Sequence, residues 1–200
     1  MSTPSVRLDT SLDIDATPDV YDPSNDSYLL LRVVDVAREV SLLEMGTGTG
    51  LIAIHAAKLG AKVTAADINP HAVECARRNA AKNNVRLDVV RSDLFEKIHG
   101  SFDIIAFNPP YLPAETKSTA WIEKAWSGGE EGGEIAVRFL QDAWKHLNPG
   151  GRIYMILSSV GGLVSALKAA RERYDVRLLE EQRMFFESIY AYEFRFRSVF

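Results

Sequence analysis

The sequence predicts an α/β fold: an open, doubly wound sheet of seven strands with helices on both faces and an antiparallel ending. Three observations predict it. Short apolar runs alternate with segments of helical periodicity along most of the chain. A glycine-rich turn joins the first strand to the helix that follows it. The last two strand-like runs succeed each other without a helix, which makes them antiparallel neighbours.

Taken in order, residues 1–20 are rich in Ser, Thr, Asp and Pro with little periodicity, so a flexible N-terminal arm is expected to lie over a single domain at 21–200. Leu29, Leu30, Val33, Val36, Ala37 and Val40 keep a helical stripe, predicting a helix over 28–40. Residues 42–45 form the first strand, and the next helix, 51–59, is closed by Gly60. The second strand, 62–66, stops at Asp67; Asn69 then caps a helix that has Pro70 at its first position and runs to about 83. Residues 85–90 and 102–107 are the third and fourth strands, the latter apolar enough to be buried on both faces. Ile135, Phe139, Ala143 and Leu147 mark a helix that the Asn148-Pro149-Gly150-Gly151 run breaks, and the fifth strand follows at 152–157. Leu163, Leu167, Ala170 and Tyr174 mark the last helix, and strands at 176–181 and 188–196 end the chain.

The bulk composition narrows the function classes. With 46% apolar and 25% charged residues the 200-residue chain reads as an ordinary globular domain. A formal charge of -4 disfavours bare nucleic acid as the target. The arginines at 171, 173, 177, 183, 195 and 197 read as solvated surface sooner than as a basic patch. Cys75 is the single cysteine, and His55, His71, His99 and His146 are scattered, so no metal site is expected. No charged segment precedes an apolar run at the N-terminus and no long apolar run occurs, so the expectation is a cytoplasmic protein without a membrane span.

Gly46, Gly48 and Gly50 form the strand-to-helix turn, where a ligand can approach bare backbone. Asp67, at the end of the next strand, suits the two hydroxyls of a ribose, which implies an adenosine-containing cofactor. The dinucleotide fingerprint is incomplete, because Leu51 stands where its third small residue belongs. Glu44, before the turn, would repel a diphosphate and suits the ammonium of a methionine moiety. Asp93 or the adjoining backbone of Leu94 is placed to bond the amino edge of an adenine. S-adenosylmethionine satisfies all of these; a nicotinamide cofactor, and with it an oxidoreductase as a third reading, fits less well.

Asn108-Pro109-Pro110-Tyr111 follows the fourth strand at the carboxyl edge of the sheet. An amide or aromatic amino nitrogen is a poor nucleophile because its lone pair is delocalised. Two acceptors, the Asn108 side-chain oxygen and the Pro109 carbonyl, would each take one N–H and aim the lone pair at a sulfonium methyl. The prolines stiffen the segment, and Tyr111 can stack on a flat amide or base. Trp121 and Trp126 lie in a long polar segment, 112–131, suited either to covering the site and clamping substrate or to packing on the sheet edge.

Glu44 with its glycine loop, Asp67, Asp93-Leu94 and the Asn-Pro-Pro-Tyr run together resemble the HemK-type glutamine methyltransferases, which modify the Gly-Gly-Gln motif of peptide release factors. The resemblance covers nearly the whole chain and implies a Rossmann-like, class I S-adenosylmethionine-dependent methyltransferase sheet. Residues 21–30 look like the opening segment of the eukaryotic and archaeal catalytic subunits, in which the residue matching Ser27 touches the cofactor. By the same resemblance Ser27, Glu44, Gly46, Gly48, Asp67, Asp93, Leu94 and Asn108 contact the cofactor, and Asn108 to Tyr111 hold the glutamine. Gly128-Gly129 falls where this branch carries a glycine pair. Bacterial members have an extra N-terminal helical recognition domain, which the short arm does not supply. Members of the branch work with a small zinc-binding activator protein, so the resemblance implies a heterodimer, with the third strand, a sheet edge, as the dock; a homodimer contact or simple exposure of that edge are the alternatives. The alternatives are an amino methyltransferase acting on adenine or another base of RNA or DNA, and a non-catalytic scaffold.

Overall fold

The structure is a computed structural model that describes residues 12–112, 121–124, 127–129 and 132–197. The seven strands are β1 (Ser41–Met45), β2 (Lys62–Asp67), β3 (Asp88–Arg91), β4 (Phe102–Phe107), β5 (Leu147–Ser158), β6 (Tyr174–Arg183) and β7 (Ser188–Phe196). They form one sheet in the order β3-β2-β1-β4-β5-β7-β6. Strands β1 to β5 pair in parallel, and β7 runs antiparallel to both of its neighbours. The strand order reverses beside β1, since the chain builds outward to β3 and then returns to place β4 on the other side. Ligands of open α/β sheets bind at such a reversal, beyond the carboxyl ends of the strands.

The helices are α1 (Asn25–Val33), α2 (Leu51–Lys58), α3 (Pro70–Lys82), the short α4 (Trp121–Lys124), α5 (Glu134–Asp142) and α6 (Leu163–Ala170). Adjacent residues of β1 show why both faces must be covered: Leu42 and Leu43 point to opposite sides and are both fully buried. Leu42 joins a core with Leu29, Leu30, Ile52, Ala76 and Ile104, under α1, α2 and α3. Leu43 joins the other with Ile105, Phe139, Leu140, Ile153 and Ala166, under α5 and α6. Among the described residues no helix is long and apolar enough to cross a membrane.

Several boundaries differ from the sequence expectation. The first helix begins at Asn25 and ends at Val33, where the sequence predicts 28–40. Val34 is already extended and Glu39 has φ +64°, yet Val34, Val36 and Val40 pack on the core from a loop. Their spacing records burial, not helix. The third strand is confined to Asp88–Arg91 because Asn84, at φ +55°, and Val85, whose N–H donates to the Ala80 carbonyl, are used in ending α3. The Asn148-Pro149-Gly150-Gly151 run does not precede β5 but lies inside it, as an irregularity between the Phe102–Leu147 and Ile104–Arg152 pairs with Gly150 at φ +78°. Tyr174 opens β6 instead of continuing α6, and its hydroxyl donates to the Leu140 carbonyl.

Residues 12–20 of the expected arm lie along α3. The Asp13 N–H donates to Asn83 Oδ1, and Asn83 Nδ2 donates back to the Asp13 carbonyl. Asp15 exchanges the same pair of bonds with Asn79. Lys82 forms ion pairs with Asp13 and Asp15, and Asn69 Nδ2 donates to the Asp19 carbonyl. Asn79 Nδ2 also reaches the Thr49 carbonyl at 2.9 Å, so one buried amide ties arm, helix and glycine turn together. Residues 1–11 lie outside the described residues.

Candidate active site

A cavity of about 600 Å³ opens at the carboxyl ends of β1, β2 and β4. Its volume falls within the range of small-molecule sites. Every residue that the sequence singles out for the site lines it: Ser27, Glu44, Gly46, Gly48, Asp67, Asp93, Leu94 and Asn108 to Tyr111. Trp121 lines it as well, whereas Trp126 lies outside the described residues.

The turn after β1 has Gly46, Gly48 and Gly50 at φ +63°, +55° and +83°, in the left-handed region that L side chains rarely occupy. A Cβ on Gly46 would stand 3.1 Å from the Phe107 ring, whereas one on Gly48 would meet no atom within 4 Å. Gly48 therefore leaves open space where the turn borders the cavity. Its N–H donates to Asp67 Oδ2 and the Asn69 N–H donates to Oδ1, both at 2.9 Å. Each oxygen of Asp67 keeps a further lone pair for a ligand hydroxyl. Burial raises the pKa of this carboxyl, against the pull of those backbone bonds.

Glu44 is buried at the end of β1, and Oε2 accepts from the Thr47 hydroxyl at 2.5 Å and from the Ala53 N–H at 2.9 Å. One oxygen thus fastens the turn to the first turn of α2, a structural duty that its place in the sequence does not disclose. Burial pushes the Glu44 carboxyl up to about 8, although both bonds oppose the shift. A cation beside it would restore the charged form.

Asp93 follows β3, but its carboxylate pairs with Arg138 of α5 at 3.2 Å. That contact leaves the backbone of the same turn as the better partner for an adenine edge. Leu94 has φ +46°, unusual for a branched side chain, and its carbonyl accepts from the Ser92 hydroxyl at 2.8 Å. Strain of this kind concentrates at ligand-binding positions.

Asn108 is the decisive residue. Its Oδ1 is buried and, among the described residues, has no hydrogen-bond partner. A buried acceptor left bare costs about 1–3 kcal/mol, so this oxygen is open to a donor entering the cavity. Behind the motif, glycines of other loops replace side chains. A Cβ on Gly128 would collide with the carbonyls of Pro110 and Gly132, and one on Gly161 with the carbonyl of Tyr111. The Gly128 N–H donates to the Leu112 carbonyl at 2.9 Å, closing this wall.

Sequence reasoning missed a buried cluster at the mouth. Asp26 is 5% exposed and accepts from the Ser27 N–H at 2.7 Å, from the Tyr21 hydroxyl at 3.2 Å and, more weakly, from the Tyr111 hydroxyl at 3.5 Å. Burial and the nearby Asp26 charge push the Tyr21 phenol up to about 12 and also raise Tyr111. Both tyrosines therefore remain donors, and the ring of Tyr111 is tethered. Asp26 sits one residue from Ser27 in the segment already singled out; nothing local discloses that it meets a residue 85 positions away.

These features fit a sulfonium nucleoside: an acid for the amine, an acid for the ribose, a backbone edge for the base and a bare acceptor beyond. The profile of the methyltransferase small domain family matches residues 19–186. A Methanocaldococcus jannaschii protein named as a candidate protein N5-glutamine methyltransferase is 45% identical over 148 residues, covering 72% of this chain and 75% of its own. Methyltransferase HEMK2 of Mus musculus is 36% identical, covering 69% and 71%. The release factor glutamine methyltransferase of Streptococcus pneumoniae is 35% identical over 63% of this chain but only 48% of its own length. Among solved structures, the Mtq2–Trm112 complex of E. cuniculi, described as methylating the termination factor eRF1, superposes with a TM-score of 0.70 at 26% identity, covering 90% of this chain and 99% of that one. Matched by the domain family through most of its length, and by archaeal and mammalian relatives over most of theirs, the chain belongs to the methyltransferase small domain family as a HemK-type glutamine methyltransferase.

Proposed function

We propose that this protein transfers a methyl group from S-adenosylmethionine to the side-chain amide nitrogen of a protein glutamine, with the Gly-Gly-Gln motif of a peptide release factor as acceptor. The observation that carries the reading is Asn108 Oδ1, a buried acceptor awaiting a donor at the end of β4. The names of the relatives, several of them release factor glutamine methyltransferases, support the choice of acceptor.

S-adenosylmethionine supplies a methyl carbon made electrophilic by its sulfonium. Asp67 would hold the ribose through the two oxygens that also fix Gly48 and Asn69, and Glu44 would face the amine from the cavity wall. Gly46, Gly48 and Ser27 line the cavity where they would border the cofactor, and the turn at Asp93 and Leu94 would take the base edge. Asn108 Oδ1 and the Pro109 carbonyl each accept one N–H of the glutamine amide. Holding both hydrogens would draw the nitrogen toward pyramidal geometry and aim its lone pair at the methyl carbon, whose bond to sulfur would break as the new N–C bond forms, leaving S-adenosylhomocysteine. Tyr111, tethered at Asp26, covers the flat face of the amide. The methylated nitrogen is acidic and loses its proton to water, so no strong base is required.

Nucleic acid as acceptor has less support. Arg177, Arg183, Arg195 and Arg197 are engaged by three carboxylates, Glu193, Glu181 and Asp175, which reduces the positive charge open to phosphates, and the net charge is -4. We further infer a small activator protein docked on β3, the outer strand of the sheet. Arg77 already donates to the Val89 carbonyl at that edge, so an added strand must displace it or pair beside it. Zinc in the activator is the finer expectation, and metal analysis of a co-purified subunit decides it.

The function is tested by transfer of labelled methyl into purified release factor and into total RNA, with Asn108→Ala as control. Label in the factor, lost in the variant, is expected. Label in RNA alone would overturn the proposal.

A further inference from the structure

Residues 184–187 connect β6 to β7, and at this tip Phe185 is 92% exposed and Phe186 is 89% exposed. The two rings touch each other edge to face, with centroids 4.7 Å apart. Single exposed apolar residues are common, but two adjacent phenylalanines held out in water are not. The tip is also firmly anchored. The Met184 N–H donates to the Glu187 carbonyl, Asn25 Nδ2 reaches Met184 Sδ at 3.4 Å, and Glu187 Oε2 accepts from the Ser158 hydroxyl at 2.7 Å.

These anchors connect the tip to the acceptor motif. Ser159 and Ser188 exchange hydrogen bonds, and Gly161, two residues further along, abuts the Tyr111 carbonyl. Between them Val160 is 40% exposed, as is Leu112, which lines the cavity beside Tyr111. Two exposed apolar side chains, Leu112 and Val160, thus stand on the segments that link the mouth of the cavity to the phenylalanine tip. Glu187 and Asp26 bring negative charge to this region, both raising the phenols of Tyr21 and Tyr111, while Arg183 and Arg32 are neutralised by Glu181 and Glu180.

We propose that Phe185 and Phe186 form the docking anchor for the protein that carries the acceptor glutamine, seated on an apolar surface of that protein flanked by basic side chains. Phosphate groups would meet acid here, so a folded polypeptide fits the rim and a nucleic acid does not. Two phenylalanines cover roughly 300 Å² or more. A stable complex buries about 800 Å² per partner, so the pair is an anchor within a larger contact. The proposal rests on the acceptor being a protein amide, and the test separates the two ideas.

The doubly substituted Phe185→Ser, Phe186→Ser protein is compared with wild type on intact release factor and on a short peptide containing Gly-Gly-Gln, with KM and kcat for each and with molar mass by light scattering. Both side chains are exposed, so the fold should survive their loss. The expected result is a KM for the intact factor raised about tenfold or more, with kcat and the peptide kinetics unchanged. An unchanged KM for the factor, or an equal loss on both acceptors, overturns the proposal. So does a wild-type dimer that the substitutions convert to monomer, since the occupant would then be a second copy. Failure of the underlying function looks different: wild type labels neither factor nor peptide, and the docking proposal falls with it.

Discussion

Lowering the pH from 8 to 6 should weaken S-adenosylmethionine binding roughly 25-fold. The argument starts from Glu44, whose carboxyl is pushed up to about 8 by burial in the ligand-free protein. The bound amine is held by the carboxylate form, so below that value the protein must give up a proton before it binds. If the neutral form binds negligibly, the penalty grows with the fraction protonated, from about 2-fold at pH 8 to about 100-fold at pH 6, a difference of about 2 kcal/mol. The ligand's own ammonium, with a pKa near 8, is half lost at pH 8, which takes back a factor of about two and makes affinity peak close to that pH. Titration calorimetry at pH 7 in buffers of different ionisation enthalpy should show nearly one proton released per cofactor bound. Glu44→Gln should bind more weakly at pH 8 and lose the dependence below it. A dissociation constant that stays flat between pH 6 and 8 in wild type would refute the placement of the amine beside Glu44.

Other outcomes follow from the same geometry. The raised carboxyls of Glu44 and Asp67 stabilise the ligand-free fold most at pH values below the ordinary Asp value of 3.8, where both are neutral folded or unfolded, and this contribution is lost as pH rises through their folded values; melting temperature should therefore drop between pH 6 and 8 without cofactor, and less so in Glu44→Gln. Gly161→Ala should cut turnover at least tenfold by shifting the Tyr111 backbone, while cofactor affinity measured by calorimetry stays within about twofold. Asn79→Ala removes bonds to the Asp15 and Thr49 carbonyls from a buried site and should cost about 1–3 kcal/mol in a denaturant titration. Asp26→Asn should leave the fold intact but lower the phenol pKa of Tyr21, read by ultraviolet titration, because a negative charge has been removed.

The order of strands and helices was legible because burial on two faces leaves a strong periodic record, as Leu42 and Leu43 show. Boundaries were less so. Val34, Val36 and Val40 carry a helical spacing while packing from a loop, and the Asn148–Gly151 run reads as a break although it is an irregularity inside a strand. At the site, the residues following β1, β2, β3 and β4 were readable because parallel topology brings strand ends together wherever they lie in the chain. What escaped were contacts made across the fold: Arg138 on Asp93, Asp26 with Tyr111, and the glycines behind the acceptor motif. Each joins residues tens of positions apart, and neither periodicity nor local spacing encodes such a meeting.

The backing of the Asn-Pro-Pro-Tyr segment by Gly128 and Gly161 has a mechanical consequence. Main chain pressed on main chain has no rotamers to explore, so the jaws that grip the amide have little slack to take up when substrate arrives. The same economy makes the gauge fixed: one added methyl group on the far side of the wall is transmitted to the grip undamped, and acceptor choice must be tuned from the rim instead.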